Sequence, residues 1–151
     1  MSRFRRSLVV ATSMLFLVGM PAVVSATPGT KVSGTILARG TSPDGIVVNG
    51  SGTTEVTIRE ITIAPGGSTG WHYHDGQLIA VVKSGTLTRT MLDCSTEVTP
   101  AGGSFVEPAG RHHTHVGRNL GTEPVVLLVT YVVPAGQQLS QDAPEPQKCA
   151  L

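Results

Sequence analysis

Five histidines fall in two short stretches of a 151-residue chain, His72 and His74 in one and His112, His113 and His115 in the other. A neutral imidazole offers one nitrogen lone pair and suits Zn, Cu, Fe and Ni. Histidines gathered from two stretches therefore make a candidate site for a divalent transition metal. The spacing favours convergence. Along an extended strand, residues two apart project to the same face, so His72 and His74 point together while Trp71 and Tyr73 point away. By the same rule His113 and His115 share a face and His112 takes the other. Two such pairs on facing strands meet at one ion. The competing reading makes the histidines polar fillers of a barrel mouth. Burying several same-facing imidazoles unpaired is costly, and a metal removes that cost.

The surrounding sequence is written for strands. Residues 55–64 read Glu-Val-Thr-Ile-Arg-Glu-Ile-Thr-Ile-Ala and end at Pro65-Gly66-Gly67. A second apolar run, 78–82, stops at Ser84-Gly85. Residues 86–92 alternate Leu87, Arg89 and Met91 against Thr86, Thr88 and Thr90. A short run at 104–106 precedes the turn Pro108-Ala109-Gly110, and the β-branched stretch 125–133 is closed by Pro134. Strands recur about every ten residues with turn signals between them. After residue 26 no segment keeps helical periodicity over three turns. The expected fold class is all-β, an antiparallel sandwich or barrel.

Two motifs resemble those of the cupin family. The family's first motif is Gly, five residues, His-x-His, three or four residues, Glu, six residues, Gly. Gly66, His72-Tyr73-His74 and Gly85 stand in that register. The second is Gly, five residues, Pro-x-Gly, two residues, His, three residues, Asn. Gly102, Pro108-Ala109-Gly110 and Asn119 follow it, with two extra residues between Gly110 and Asn119. The resemblance covers roughly 55–133 and implies a β-barrel or jelly roll with a metal held inside. It also implies a ligand set, with departures. The family's Glu position is Leu78, which cannot ligate, and Asp75 and Gln77 nearby lie at a turn. Counting forward from Gly110 gives His113 as the ligand; counting back from Asn119 gives His115, the choice favoured here. His72, His74 and His115 are thus the expected metal ligands, with His113 a candidate fourth in place of the missing Glu. The metal's identity among Fe, Mn, Zn and Ni stays open.

The first 26 residues are expected to be a secretory signal peptide. Arg3, Arg5 and Arg6 precede an apolar run over 8–24, and Val24-Ser25-Ala26 offers a cleavage site. A retained anchor is the alternative, and Arg5-Arg6 leaves twin-arginine export open. The domain then spans 27–133, followed by a coil tail over 134–151 that holds Pro134, Pro144 and Pro146. Without the three leader arginines, 8 Lys+Arg stand against 10 Asp+Glu, a net charge of −2. No basic patch remains, so nucleic acid is not an expected partner. No second long apolar segment is present to span a membrane. In an exported chain, Cys94 and Cys149 are expected to form a disulfide; two free thiols are the alternative.

Other polar residues take plainer readings. Arg89 and Arg118 are by default surface residues, with orienting an anionic ligand the alternative, and Glu107 an exposed turn residue rather than a catalytic acid. Three histidines with open coordination positions can activate water or hold Fe(II) for oxygen chemistry, as in some cupin dioxygenases that lack the family's Glu. Against an enzyme, no general acid or base stands out, and Leu78, Ala80 and Val82 line an apolar cavity. The expected function is an exported metal-binding cupin without an assigned reaction. A dioxygenase-like enzyme and a metal-free binder of a small-molecule ligand are the alternatives, since the fold hosts both. A homo-oligomer is compatible with either.

Overall fold

The structure is a computed structural model describing residues 36–42 and 45–149; the expected export signal at 1–26 lies outside the described residues. Among the described residues, nine strands form two antiparallel sheets. The first has the order β1 (Thr54–Ile63), β8 (Val125–Pro134), β3 (Gln77–Ser84), β6 (Ser104–Glu107). The second runs β5 (Thr96–Pro100), β4 (Thr86–Met91), β7 (His115–Arg118), β2 (His72–Tyr73), β9 (Gln141–Asp142). The only helical pieces among the described residues are two 3₁₀ turns, Arg111–His113 and Gln147–Cys149. None is long and apolar enough to cross a membrane. The all-β antiparallel expectation holds.

Alternation decides which side chains enter the barrel. Along β8, Val125, Leu127, Val129, Tyr131 and Val133 are buried and the intervening residues are not. Leu78, Ala80 and Val82 of β3 lie beside them on the same face, and Leu87 of β4 and Phe105 of β6 join the core. Two close approaches need glycine. A Cβ on Gly76 would lie 2.1 Å from the Val132 carbonyl oxygen, and one on Gly85, at φ +74°, 2.7 Å from that of Pro124. Gly76 thereby lets the turn after His74 press against β8. Gly85 makes the β3–β4 corner.

Cys94 and Cys149 are bridged, with S–S 2.01 Å and Cα atoms 5.4 Å apart. The tail departs from the expected coil. Its β9 pairs with β2, Tyr73 opposite Gln141 and His72 opposite Asp142. A two-residue strand at a sheet edge leaves backbone groups open, and the returning tail covers them.

Candidate metal centre

His72 lies directly opposite His115 in the β2–β7 pairing, and His74 follows two positions after His72. Their ring centroids are 4.5 Å apart for His72–His115, 5.0 Å for His72–His74 and 5.5 Å for His74–His115. A fourth group joins them. Glu107 Oε2 lies 3.1 Å from His74 Nε2 and 3.0 Å from His115 Nε2. One donor atom from each of the four residues falls within 4.8 Å of the others.

Glu107 corrects the expectation of an exposed turn residue: it is 8% exposed and ends β6 on the inner face, two positions after buried Phe105. In the β3–β6 pairing Leu78 stands opposite Glu107. The carboxylate absent at 78 therefore enters the same face of the sheet from the neighbouring strand. Leu78 instead packs in the core.

His113 is not brought into the cluster. It sits exposed in the 3₁₀ turn Arg111–His113, as does His112. The expectation that His113 and His115 share a strand face fails for a physical reason. The two extra residues of the second motif are taken up in that turn, so the period of two starts only at His115. His113 contributes a backbone carbonyl, which accepts a hydrogen bond from His115 Nδ1 at 2.7 Å.

That bond belongs to a set of three. His72 Nδ1 donates to the Gly70 carbonyl at 2.8 Å, and His74 Nδ1 to that of Leu139 at 2.6 Å. A carbonyl only accepts, so each bond places the proton on Nδ1 and leaves Nε2 as the lone-pair nitrogen. For His74 and His115 that nitrogen points to Glu107. Although His115 Nε2 is 3.0 Å from Glu107 Oε2, it is buried without a well-directed hydrogen-bond partner. Three imidazole lone pairs and a carboxylate, all pure donors of electron density, need a cation or protons between them. The donor set fits a divalent metal.

In the metal-free protein protons fill that role. Burial by itself would raise the pKa of Glu107, but its close contacts with His115 and His74 and their charge outweigh it and hold the carboxyl far below its usual range. Burial would lower that of His115, yet its contact with Glu107 lifts it above the usual imidazole value. His72 goes the other way, lowered chiefly by burial and also by the other two histidines. Arg89 corrects its surface expectation: it is 4% exposed, its guanidinium stacks 3.5 Å over the Phe105 ring, and it ion-pairs with Glu97 and, at 3.4 Å, with Glu107 Oε1. Arg118 is half-buried and donates to Thr90 Oγ1.

Residues 59–131 match the family described as cupin domain. The chain carries a cupin domain over these residues. Among solved structures, the polyketide cyclase RemF from Streptomyces resistomycificus has the same fold, with a TM-score of 0.50 at 20% identity over 71% of this chain and 70% of its own. A cupin domain from Bordetella pertussis is 24% identical over 65% of this chain and 98% of its own, with a TM-score of 0.46. An oxalate oxidase solved with the substrate analogue glycolate is 28% identical over 50% of this chain, with a TM-score of 0.45. The match spans only 41% of that enzyme. No curated protein matches the sequence.

In this cupin the second motif's asparagine is a brace. Asn119 is 1% exposed; its Nδ2 donates to the carbonyls of Ile63 and Glu123, both at 2.8 Å, and its Oδ1 accepts from Gly121 N at 3.0 Å. It ties the end of β1 to the turn after β7. Beside the cluster lies a cavity of about 50 Å³, bounded by His72, Leu78, Phe105, Glu107 and Tyr131. An open surface cleft of about 490 Å³ shares Arg89, Glu107 and His115 with it.

Proposed function

We propose that this protein is an exported metal-binding cupin that holds a divalent transition metal through His72, His74, His115 and Glu107. It presents that metal to a small molecule in the adjoining cavity. The observation that carries this reading is the convergence of three Nδ1-pinned imidazoles on one buried carboxylate. A nitrogen-rich set with one oxygen suits Zn, Fe, Mn or Ni. The bound ion would supply a Lewis acid and an open coordination position. The chain's own residues do the rest. Backbone carbonyls of Gly70, Leu139 and His113 aim the ligands, and Arg89 holds the far oxygen of Glu107. Leu78, Phe105 and Tyr131 limit water at the inner side. About 10–15 Å³ of cavity space holds one water molecule, so a cavity of about 50 Å³ admits a ligand of a few heavy atoms without movement.

The ground for a three-histidine iron dioxygenase was a missing carboxylate. With Glu107 among the four groups, that ground is gone, and no other residue favours the dioxygenase over a binding module. Export is supported by the leader-like 1–26 segment and the disulfide. The deciding experiment is elemental analysis of the protein purified from its export compartment, beside His74→Ala and Glu107→Gln variants. One equivalent of metal in the native protein and a marked loss in both variants is expected. Equal metal in all three would remove these residues as the site.

A further inference from the structure

We propose that the disulfide-anchored C-terminal tail is a working part of the metal centre, positioning His74 and His72 so that metal retention depends on the Cys94–Cys149 bridge. This rests on the metal reading above.

The four candidate ligands are not supported alike. His115 is oriented by the carbonyl of His113, two residues away, and His72 by that of Gly70, also two away. His74 is oriented by the carbonyl of Leu139, 65 positions downstream. His74 is 2% exposed, so water cannot readily take over that hydrogen bond. The same tail supplies β9, which places Asp142 against His72 on the side of β2 away from His115. One ligand thus has its tautomer fixed by the tail, and a second has its strand flanked by it.

Besides the bridge, the tail is held by the two-residue β9–β2 pairing, the Leu139–His74 bond and a few further contacts. Ala143 N donates to the Trp71 carbonyl at 2.9 Å, and Gln141 Nε2 to Asp75 Oδ2 at 2.8 Å. Leu139 packs partly buried against the core, while 134–138 are exposed. A chain end with so few contacts frays unless it is tied down. The tie is Cys149 to Cys94, at the β4–β5 hairpin, and that hairpin's β4 pairs Met91 with His115. Both cysteines are partly exposed, within reach of an external dithiol. Its thiolate attacks one sulfur to form a mixed disulfide and releases the other cysteine as a thiolate. Its second thiol then closes its own disulfide and frees the first cysteine. The external dithiol loses two electrons and the bridge gains them. The released tail withdraws the Leu139 carbonyl, and His74 loses its partner.

Removing the outer hydrogen-bond partner of a ligating histidine typically weakens metal affinity roughly 10–100-fold. The test uses the full chain and zinc as probe, with affinity read by competition against a chromogenic chelator. Oxidised wild type is compared with Cys94→Ser/Cys149→Ser and with Ala143→Pro, which removes the bond to Trp71 while leaving the bridge. Circular dichroism of the metal-free proteins reports folding. Expected is a loss of roughly 10–100-fold in the double serine variant and a smaller loss in Ala143→Pro. In zinc-loaded, ¹⁵N-labelled protein the Nδ1 proton of His74 should exchange with water faster in both variants. That of His115, held by its own segment, should not change. A folded double serine variant with wild-type zinc affinity overturns the proposal. If that variant does not fold, unchanged His74 proton exchange in Ala143→Pro overturns it instead. Failure of oxidised wild type to take up zinc sinks the metal reading itself, and the tail's role with it.

Discussion

Replacing Glu107 by Gln keeps the shape of the side chain and removes its charge, and the metal-free protein should feel this strongly. At 3.0 Å, a protonated His115 and the Glu107 carboxylate attract by about 5 kcal/mol at an effective dielectric of about 20. Desolvating both groups offsets part of that in the intact pair, but deleting one partner of a buried pair costs about 3–5 kcal/mol. Glu107 is 8% exposed and His115 3%, so solvent does little to soften the loss. The pH dependence follows from the two shifts. The folded pKa of His115 is raised, so its contribution is complete below the ordinary imidazole value near 6.5 and is lost as pH rises through the folded one. That of Glu107 is depressed, so its contribution is present above the ordinary carboxylate range and is lost only as pH falls through the folded value. The pair therefore stabilises most between about pH 5 and 6.5 and less on the alkaline side. For a body of this size, 3–5 kcal/mol corresponds to roughly 10–20 °C in melting temperature. Thermal unfolding in chelator should show that gap between wild type and Glu107→Gln at about pH 6, narrowing by about pH 9. A gap under about 1 kcal/mol at the lower pH, or one that does not narrow, would refute the pairing.

Three further outcomes are expected. His115→Ala should abolish zinc binding in equilibrium dialysis, whereas His113→Ala should keep it within about twofold, because only the backbone of His113 reaches the cluster. Glu107→Leu should lose metal, and Leu78→Glu/Glu107→Leu should recover at least part of it, since the two positions are directly opposed across the ladder; no recovery in a folded double variant would mean the carboxylate's strand matters. Lowering the pH should release metal as the imidazoles protonate, over roughly pH 6.5 to 4.5. The raised pKa of His115 favours release and the lowered one of His72 opposes it. Release at a higher pH in Glu107→Gln, followed by metal retention after gel filtration, checks that the carboxylate holds the ion.

The strands that form the barrel were legible because each is written as an alternation bounded by turn residues. The run 125–133 became β8 and buries every second residue. Residues 86–91 of the run 86–92 became β4, and the alternation already placed Arg89 on the side of Leu87, although a surface default for arginine hid what that meant. Burial of Arg89 needed two features that no local pattern displays, the Phe105 ring beneath it and carboxylates from β5 and β6 beside it. The tail failed for a similar reason. Two residues carry no periodicity, and β9 exists because β2 offers an open edge once the bridge has brought the tail back.

The proposed ligand set shows where one-dimensional reading stops. Counting along each motif located His72, His74 and His115, because the spacing within each motif is local, although the β2–β7 pairing that brings them together is long-range. The same counting reached Leu78 and found no carboxylate. A metal cluster does not register which strand delivers an oxygen, only which face it comes from and how far it reaches. In an antiparallel ladder, opposed residues share a face with Cβ atoms about 4.5–5.5 Å apart, within the span of a glutamate side chain. A carboxylate at 107 can therefore stand where one at 78 would have stood, provided β6 pairs with β3 in this register and no other. A shift of one residue would turn Glu107 to the outer face. One local hint was present, since Glu107 lies two positions after Phe105 in the strand that precedes Pro108. Choosing between an inner-face acid and an exposed turn required the pairing Leu78–Glu107, which is long-range and set by β8 and Gly76 as much as by β6 itself.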